Sequence, residues 1–278
     1  MQKSILITGC SSGIGYDAAQ GMRARGWRVF ASCRQAQDCD RLKGEGFDSP
    51  LIDYSDAASI KSGLAEVLAA TGGTLDALFN NGAHGLLGAV EDLPTEALRE
   101  IFEVNFFGWH ELTRQVIPVM RAQGHGRIVQ CSSVLGLVIF PWRGAYAATK
   151  FALEGLTDTL RIELKGSGIN VVLIEPGPIT SKLRENGIPF FERYIDWRAS
   201  PIRARYEGGL LDRLYHSDGP DSFELPPSAV TAKLAYAVEA TRPKERYYVT
   251  TPTYVSGMLR RVLSTRMIDR ILVRLLTR

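Results

Sequence analysis

Tyr146 and Lys150 stand four residues apart in "GAYAATKFALEGLTDTLRIELK". The apolar residues of that stretch recur at helical spacing, so both side chains share one helix face. A free tyrosine titrates near pH ~10. An ammonium one turn away favours the phenolate and lowers that value. Tyr146 then becomes an acid–base group, donating a proton to a carbonyl or taking one from an alcohol near neutral pH. Taken alone, the pattern reads more simply as an amphipathic helix with a half-buried tyrosine and a surface lysine. Against that stands "RIVQCSS", a strand-like run that ends in Ser132 and Ser133, the latter 13 residues before Tyr146. Ligands bind at the C-terminal ends of parallel strands. Either serine can hydrogen-bond a substrate oxygen there, and either can cap a turn. No histidine stands where it would activate Ser133, so acyl transfer lacks a base.

The opening "MQKSILITGCSSGIGYDAAQGM" runs from an apolar strand through Gly9, Gly13 and Gly15 into a helix. Glycine admits a ligand where a Cβ would exclude it. The helix start offers unpaired N–H groups and a positive dipole end, both suited to phosphate. Ser11 and Ser12 add hydroxyl donors, and Gly15 lets the helix pack closely on the sheet. The spacing is Gly-x-x-x-Gly-x-Gly, not the Gly-x-Gly-x-x-Gly of the dinucleotide fingerprint. A nucleotide is the expected guest; a glycine-rich turn with no ligand is the alternative. Asn105 interrupts the apolar helical stretch "IFEVNFFGW". A mid-helix asparagine is mildly unfavourable and needs a reason, of which a buried bond to backbone is the plainest.

These groups need a frame. Seven apolar runs alternate with longer amphipathic stretches: Ile5–Thr8, Arg28–Ser32, Ser49–Asp53, Ala77–Asn80, Ile128–Ser132, Val171–Ile174 and Tyr247–Thr250. Near-continuous apolar strands imply a parallel sheet covered on both faces. The expectation is one α/β domain over residues 1–252, a doubly wound Rossmann-type fold with a seven-stranded parallel sheet. Residues 183–225 break the rhythm and are rich in aromatics, as a substrate lid would be. The 278 residues suffice for a sizeable core, and a formal net charge of +3 is too small to argue for nucleic acid. Cys10, Cys33, Cys39 and Cys131 lack metal or disulfide spacing, which suits a reduced, cytoplasmic protein without a metal site. With a strand-like run starting almost at once, no secretory leader is expected, and no apolar run approaches the ~20 residues of a membrane span.

Taken together, the motifs resemble those of the short-chain dehydrogenase/reductase family. "TGCSSGIG" at Thr8–Gly15 is similar to its glycine motif, and "NNGA" at Asn80–Ala83 to its Asn-Asn-Ala-Gly element with the last two residues exchanged. "VNFFG" carries Asn105, "CSSVLG" carries Ser133, "YAATK" gives Tyr146 and Lys150, and "EPGPITS" matches the segment after the sixth strand. The matches cover residues 3–182 in the family's order and spacing. The resemblance implies reversible hydride transfer between a nicotinamide cofactor and a carbonyl or alcohol carbon. It selects Ser133 over Ser132 as the substrate-oxygen partner. It implies that Asn105 holds a water linking Lys150 to solvent, and that Lys150 bonds the nicotinamide ribose. It also implies a cofactor site of Gly9, Ser11, Ser12, Gly13, Ile14, Asp53, Tyr54, Asn81, Gly82, Tyr146, Lys150, Pro176, Gly177, Ile179 and Ser181. Among these, Asp53 would accept from the adenine amino group beside Tyr54, and Ile179 and Ser181 would meet the nicotinamide carboxamide. The general look is nearest the hydroxysteroid and retinol dehydrogenase branch, with an apolar steroid-, retinoid- or aldehyde-like substrate and a homo-oligomeric state expected.

In "WRVFASCRQ" the position where NAD-preferring relatives carry an acid is Cys33, and Arg34 follows. No carboxylate there repels a 2′-phosphate, and the planar guanidinium of Arg34 can pair with one. NADP is therefore expected over NAD. The alternatives are an NAD-linked alcohol dehydrogenase and a non-catalytic NADP-sensing protein on the same fold. Finally, residues 253–278 are expected to form a basic amphipathic helix. Val255, Met258, Leu259, Val262, Leu263, Met267, Ile268, Ile271, Leu272, Leu275 and Leu276 make its apolar stripe. Six arginines (260, 261, 266, 270, 274 and 278) against Asp269 give this tail +5 and leave the rest of the chain at −2. Such a helix packs on protein or makes peripheral contact with an anionic membrane.

Overall fold

The first strand, β1 (Ser4–Thr8), is buried at every position, as a strand covered on both faces must be. The computed structural model describes residues 2–216 and 222–276. The chain runs from β1 through α1 (Gly13–Ala24), β2 (Arg28–Ser32), α2 (Ala36–Gly44), α3 (Ala57–Thr71) and β3 (Ala77–Asn80). It continues through α4 (Thr95–Phe102), α5 (Gly108–Gln123), β4 (Gly126–Cys131), α6 (Gly144–Glu163) and β5 (Ile169–Glu175). Next come α7 (Leu183–Tyr194), α8 (Arg203–Arg205), α9 (Leu211–Tyr215), α10 (Ser228–Glu239) and β6 (Arg246–Tyr248). Two helices, α11 (Thr251–Val262) and α12 (Thr265–Leu276), close the described chain. The sheet order is β2-β1-β3-β4-β5-β6, parallel throughout. The order reverses at β1, which opens the ligand crevice at the C-terminal ends of β1 and β3.

Three expectations change. Among the described residues the sheet has six strands, because Ser49–Asp53 does not join it: beside β2 there are only isolated bridges, at Asp48 just before that run and at Leu51 within it. Pro50 is the reason: it has no N–H to continue the ladder. Ala31 N and Ile52 N still donate across the gap, to Asp48 O (2.8 Å) and Cys33 O (2.9 Å). Between them Ala31 O accepts from Ser49 Oγ at 2.6 Å.

The segment expected to be an irregular lid is largely helical. Its aromatics close a small core of their own, in which Phe191, Ile195, Tyr206, Leu210 and Leu214 are buried beside Trp142 and Trp197. Residues 217–221 of that segment lie outside the described residues. The tail is two helices, not one. Leu263 turns extended (φ −97°, ψ 143°), and Ser264 O then accepts from Met267 N and Ile268 N to start α12. Serine at that position is a favoured helix start. Arg278 and the side chains of Leu275 and Leu276 lie outside the described residues.

Under the crevice sits a buried polar network. The Asn80 amide donates to Thr113 Oγ1 and Gln130 Oε1, both at 2.9 Å, and its Oδ1 accepts from Tyr54 OH at 2.5 Å. Above it, α1 lies so close to β1 that a Cβ on Gly15 would come 2.2 Å from Gly9 O. Gly15→Ala must therefore push α1 off the strand turn. The expected cost is about 1–3 kcal/mol, that of an overpacked core, read as a lower urea midpoint. An unchanged midpoint would contradict this packing.

Candidate active site

Gly9 leaves β1 at φ +70°, and a Cβ there would lie 2.5 Å from Gly82 Cα. Two distant turns are thus held in backbone contact. Thr8 locks them together: its Oγ1 accepts from Asn81 N (2.9 Å) and Gly82 N (3.1 Å), while Asn81 Nδ2 donates to Thr8 O (3.0 Å). The exchanged Gly82-Ala83 pair therefore puts the smallest residue at the closest approach. Ser12 occupies the cap position of α1 in extended conformation, and its side chain makes no capping bond. The first N–H groups of α1, from Gly13 onward, have no partner within the helix. Ile14 packs its side chain on the core behind them. Ser181, beyond β5, reaches over this helix start, 3.3 Å from where a Gly13 Cβ would stand. A cradle lined by glycine, with an uncapped helix start and an uncommitted serine hydroxyl, fits a dinucleotide pyrophosphate.

At the end of β2, Cys33 is buried and burial pushes its thiol up to about 12, so the position is neutral. Arg34 beside it is exposed. A second arginine, not singled out in the sequence, reaches the same corner: Arg41 of α2 donates to Ser11 O at 2.8 Å and pairs with Glu45 at 2.8 Å. Its approach depends on how α2 docks, which no local pattern announces. Asp53 Oδ1 is held by Ser55 N (2.9 Å) and Ser55 Oγ (2.8 Å). Tyr54, expected beside the adenine, turns its hydroxyl inward to Thr8 and Asn80 and offers only its ring edge below Gly82.

The catalytic candidates converge from β4, α6 and the α4–α5 junction. Ser133 follows β4, and its Oγ accepts from Leu135 N at 3.1 Å. Lys150 is 1% exposed. Its Nζ donates to Cys131 O at 2.8 Å and stands 4.2 Å from the Trp109 ring centroid and 5.5 Å from that of Tyr146. Burial lowers Lys150 to about 8. Tyr146 moves the other way: burial raises it above its ordinary value, with the Ser133 hydroxyl acting against that rise. Burial thus outweighs the lowering expected from Lys150, whose ammonium faces Cys131 O and Trp109. Tyr146 is therefore a phenol at neutral pH, ready to donate, with Ser133 within its reach.

Asn105 falls in a single π-helical turn, Glu103–Phe107, between α4 and α5. Such turns are common at functional sites. Its Oδ1 accepts from His84 N (3.1 Å) and its Nδ2 donates to His84 O (2.9 Å). The side chain thus clamps the backbone after β3, the bond to backbone that was the plainest reading. Two further residues complete the site. Trp109 lies one turn beyond Asn105, donates Nε1–H to Gly82 O at 2.7 Å and floors Lys150. His84 stacks on Phe190 of α7 with centroids 3.9 Å apart, and burial lowers its pKa, so the ring is neutral. Pro176 O accepts from Val134 N at 2.7 Å, and Gly177 lies against Thr250, whose Oγ1 would be 2.0 Å from a Cβ there. Ile179 packs on the main core and bridges to Leu225.

Residues 3–188 match the family model of the short chain dehydrogenases. The chain belongs to that family. It is 40% identical to the oxidoreductase YbbO of Escherichia coli (strain K12) over 274 residues, 98% of this chain and 94% of that protein. It is 31% identical to the NADPH-dependent 3-dehydrocapnine reductase of Ornithobacterium rhinotracheale, over 96% of this chain and 94% of that one. The crystal structure of a short-chain dehydrogenase from Streptomyces avermitilis superposes with a TM-score of 0.78 at 28% identity, covering 99% of this chain and 95% of that one. As a short-chain dehydrogenase, the protein is an oxidoreductase acting on CH–OH groups with NAD(P). The bound nicotinamide supplies or accepts the hydride.

Two outcomes follow from the Tyr146–Lys150 geometry. Tyr146→Phe should retain NADPH binding, read by fluorescence titration, and lose turnover by ~10²–10⁴-fold, the usual worth of general acid–base catalysis. Near wild-type turnover would remove Tyr146 from the proton path. The Lys150 ammonium is present below about 8 and lost above it. The kcat/KM for carbonyl reduction should therefore fall as pH rises through about 8. A profile flat to pH ~10 would show that the charge of Lys150 has no part in the rate.

Proposed function

We propose that the protein is an NADP(H)-dependent reductase of apolar carbonyl compounds, or dehydrogenase of the matching alcohols. The observation that carries the reading is the assembled set: buried Lys150, its Nζ 5.5 Å from the Tyr146 ring centroid, donates at 2.8 Å to Cys131 O at the strand end that carries Ser133. A protonated donor next to a hydroxyl that can hold a carbonyl oxygen is what reduction requires. In this reading Ser133 binds the oxygen, Tyr146 delivers the proton, and Lys150 orients the ribose. Asn105 and Trp109 hold the backbone and the ammonium in place. A water on Asn105, linking Lys150 to solvent, belongs to the same proposal.

The substrate side is apolar. Phe190 and Tyr194 of α7 pack with Tyr146, Leu86 and Ile101, and His84 beneath Phe190 is neutral. A steroid, a retinoid or a medium- to long-chain aldehyde or ketone suits such a lining, in keeping with the hydroxysteroid and retinol dehydrogenase branch that the sequence resembles. A non-catalytic sensor has no use for a lysine buried beside a tyrosine and a serine. The assembled set favours an enzyme.

For the cofactor, the preference is NADP over NAD. A neutral Cys33, with Arg34 and Arg41 at the same corner, favours a 2′-phosphate. The 3-dehydrocapnine reductase is NADPH-dependent by name. Ser11 and Ser12 stand on the facing loop. The test follows nicotinamide absorbance with NADPH and NADH over a panel of aldehydes and ketones of rising chain length. Turnover with NADPH that improves with chain length is expected; turnover confined to NADH and short alcohols would favour the NAD-linked alcohol dehydrogenase. Arg34→Ala should weaken NADPH about ten- to a hundredfold, the worth of one charge-assisted bond, and leave NADH little changed. Equal losses would show that Arg34 does not read the 2′-phosphate. Cys33→Asp should move the preference toward NADH.

A further inference from the structure

Amphipathic helices normally turn their apolar side inward. In α11 the arrangement is reversed. Its buried side is Thr253 and Gly257, and Gly257 lies so close to Tyr248 that a Cβ would come 2.8 Å from the phenol oxygen. Its outward side carries Tyr254, Met258 and Val262, one turn apart, at 52%, 62% and 70% exposure. The theme continues on α12. Leu272 is buried and Ile268 half-buried, yet Met267 and Ile271 beside them are 48% and 40% exposed. Arg261, Arg266 and Arg270 are exposed along the same two helices, while Arg260 turns back to Leu137 O and the Phe151 ring. An apolar stripe edged by arginines, with the rest of the chain carrying −2, has a definite chemistry.

We propose that the outer face of α11 and α12 docks the protein on an anionic lipid surface. The apolar side chains would enter the headgroup–acyl boundary, and the arginines would reach up to the phosphates. Among the described residues no helix is long and apolar enough to cross a membrane, so the contact is peripheral. A second copy of the chain is the poorer occupant. A two-fold interface presents the same patch twice and would set these arginines against one another. The anionic surface answers the charge and the apolar stripe together.

The helix α11 adjoins the substrate end of the molecule through its inner side. Arg260 donates to Leu137 O, just past the turn that follows Ser133, and its guanidinium lies 4.6 Å from the Phe151 ring centroid. A protein seated on lipid by the outer face would hold its substrate mouth near the bilayer, where apolar carbonyl compounds dissolve. Docking itself does not rest on that substrate reading.

The test is co-sedimentation of the full-length protein with vesicles of phosphatidylcholine alone or with one-third phosphatidylglycerol, at low and high salt. Binding to the phosphatidylglycerol vesicles at low salt is expected, weakening at least tenfold with high salt or without the anionic lipid. Met258→Glu with Val262→Glu should weaken it at least tenfold, as should Arg266→Gln with Arg270→Gln. Because all four side chains are exposed, thermal midpoints and NADPH binding should not change. Should a variant fail to fold, the salt and lipid dependence of the wild-type protein decides. Absence of binding to either vesicle overturns the proposal, as does binding equal on both vesicles or unchanged in both variants. An oligomer that dissociates on Met258→Glu, with no vesicle binding, assigns the face to a second copy instead.

Discussion

Between the first and third strands, two backbones pass with no room for a side chain. A Cβ on Gly9 would lie 2.5 Å from Gly82 Cα, and one on Gly15 would lie 2.2 Å from Gly9 O. This contact sets the depth of the crevice and the position of the α1 start, whose first N–H groups face it. It also sets the path of the chain after β3, from Asn81 to His84. Asn105 then clamps His84 from the far side, and Trp109 reaches back to Gly82 O. Trp109 in turn supports Lys150. The Tyr146–Lys150 pair on α6 is thereby referred to the same glycine contact, although nearly 140 residues of sequence separate Gly9 from Tyr146.

The helix α6 needs a second anchor, and the structure supplies it with charge. Counting one turn at a time, Tyr146, Lys150, Glu154 and Asp158 lie along it. Arg246 of β6 bonds Glu154, Asp158 and the fully buried Glu175 at the end of β5. Burial among like charges pushes Glu175 up to about 8, with the Arg246 guanidinium acting against that rise. Buried ion clusters contribute little net stability, because desolvation offsets the attraction. Their geometry is nevertheless strict, and here it ties α6 to the two strands that lead into Pro176-Gly177 and α11. The helix that carries Tyr146 and the strand that leads into Pro176-Gly177 are thus held by one guanidinium.

The segment from α7 to α9 carries a buried cluster of its own around Tyr206 and Phe191, which packs on Leu87, Ala89, Leu93 and Trp142 of the main body. Bonds from Tyr206 OH and Ser200 Oγ to Asp92 tie it there. It meets the site through the His84–Phe190 stack and the bond from Tyr194 to Glu100.

Much of the site was legible along the chain because it is written at short range. The glycine turn, the Tyr146–Lys150 spacing, the strand end at Ser133 and the alternating α/β rhythm are relations between neighbours, and backbone geometry makes them directly readable. The six-stranded count was not, although Pro50 was in view, because whether a gap is bridged depends on Ser49 reaching Ala31. Nor was the pKa order of Tyr146 and Lys150. Sequence spacing puts an ammonium near a phenol, but burial outweighs that proximity, and burial is a property of the packed whole. The same holds for Arg41 at Ser11, for His84 under Phe190, and for the outward-facing stripe of α11. Periodicity shows that a helix has two faces. Only the packing of Gly257 on Tyr248 decides which of them is left to the outside, because a close approach admits the small side and excludes the large one.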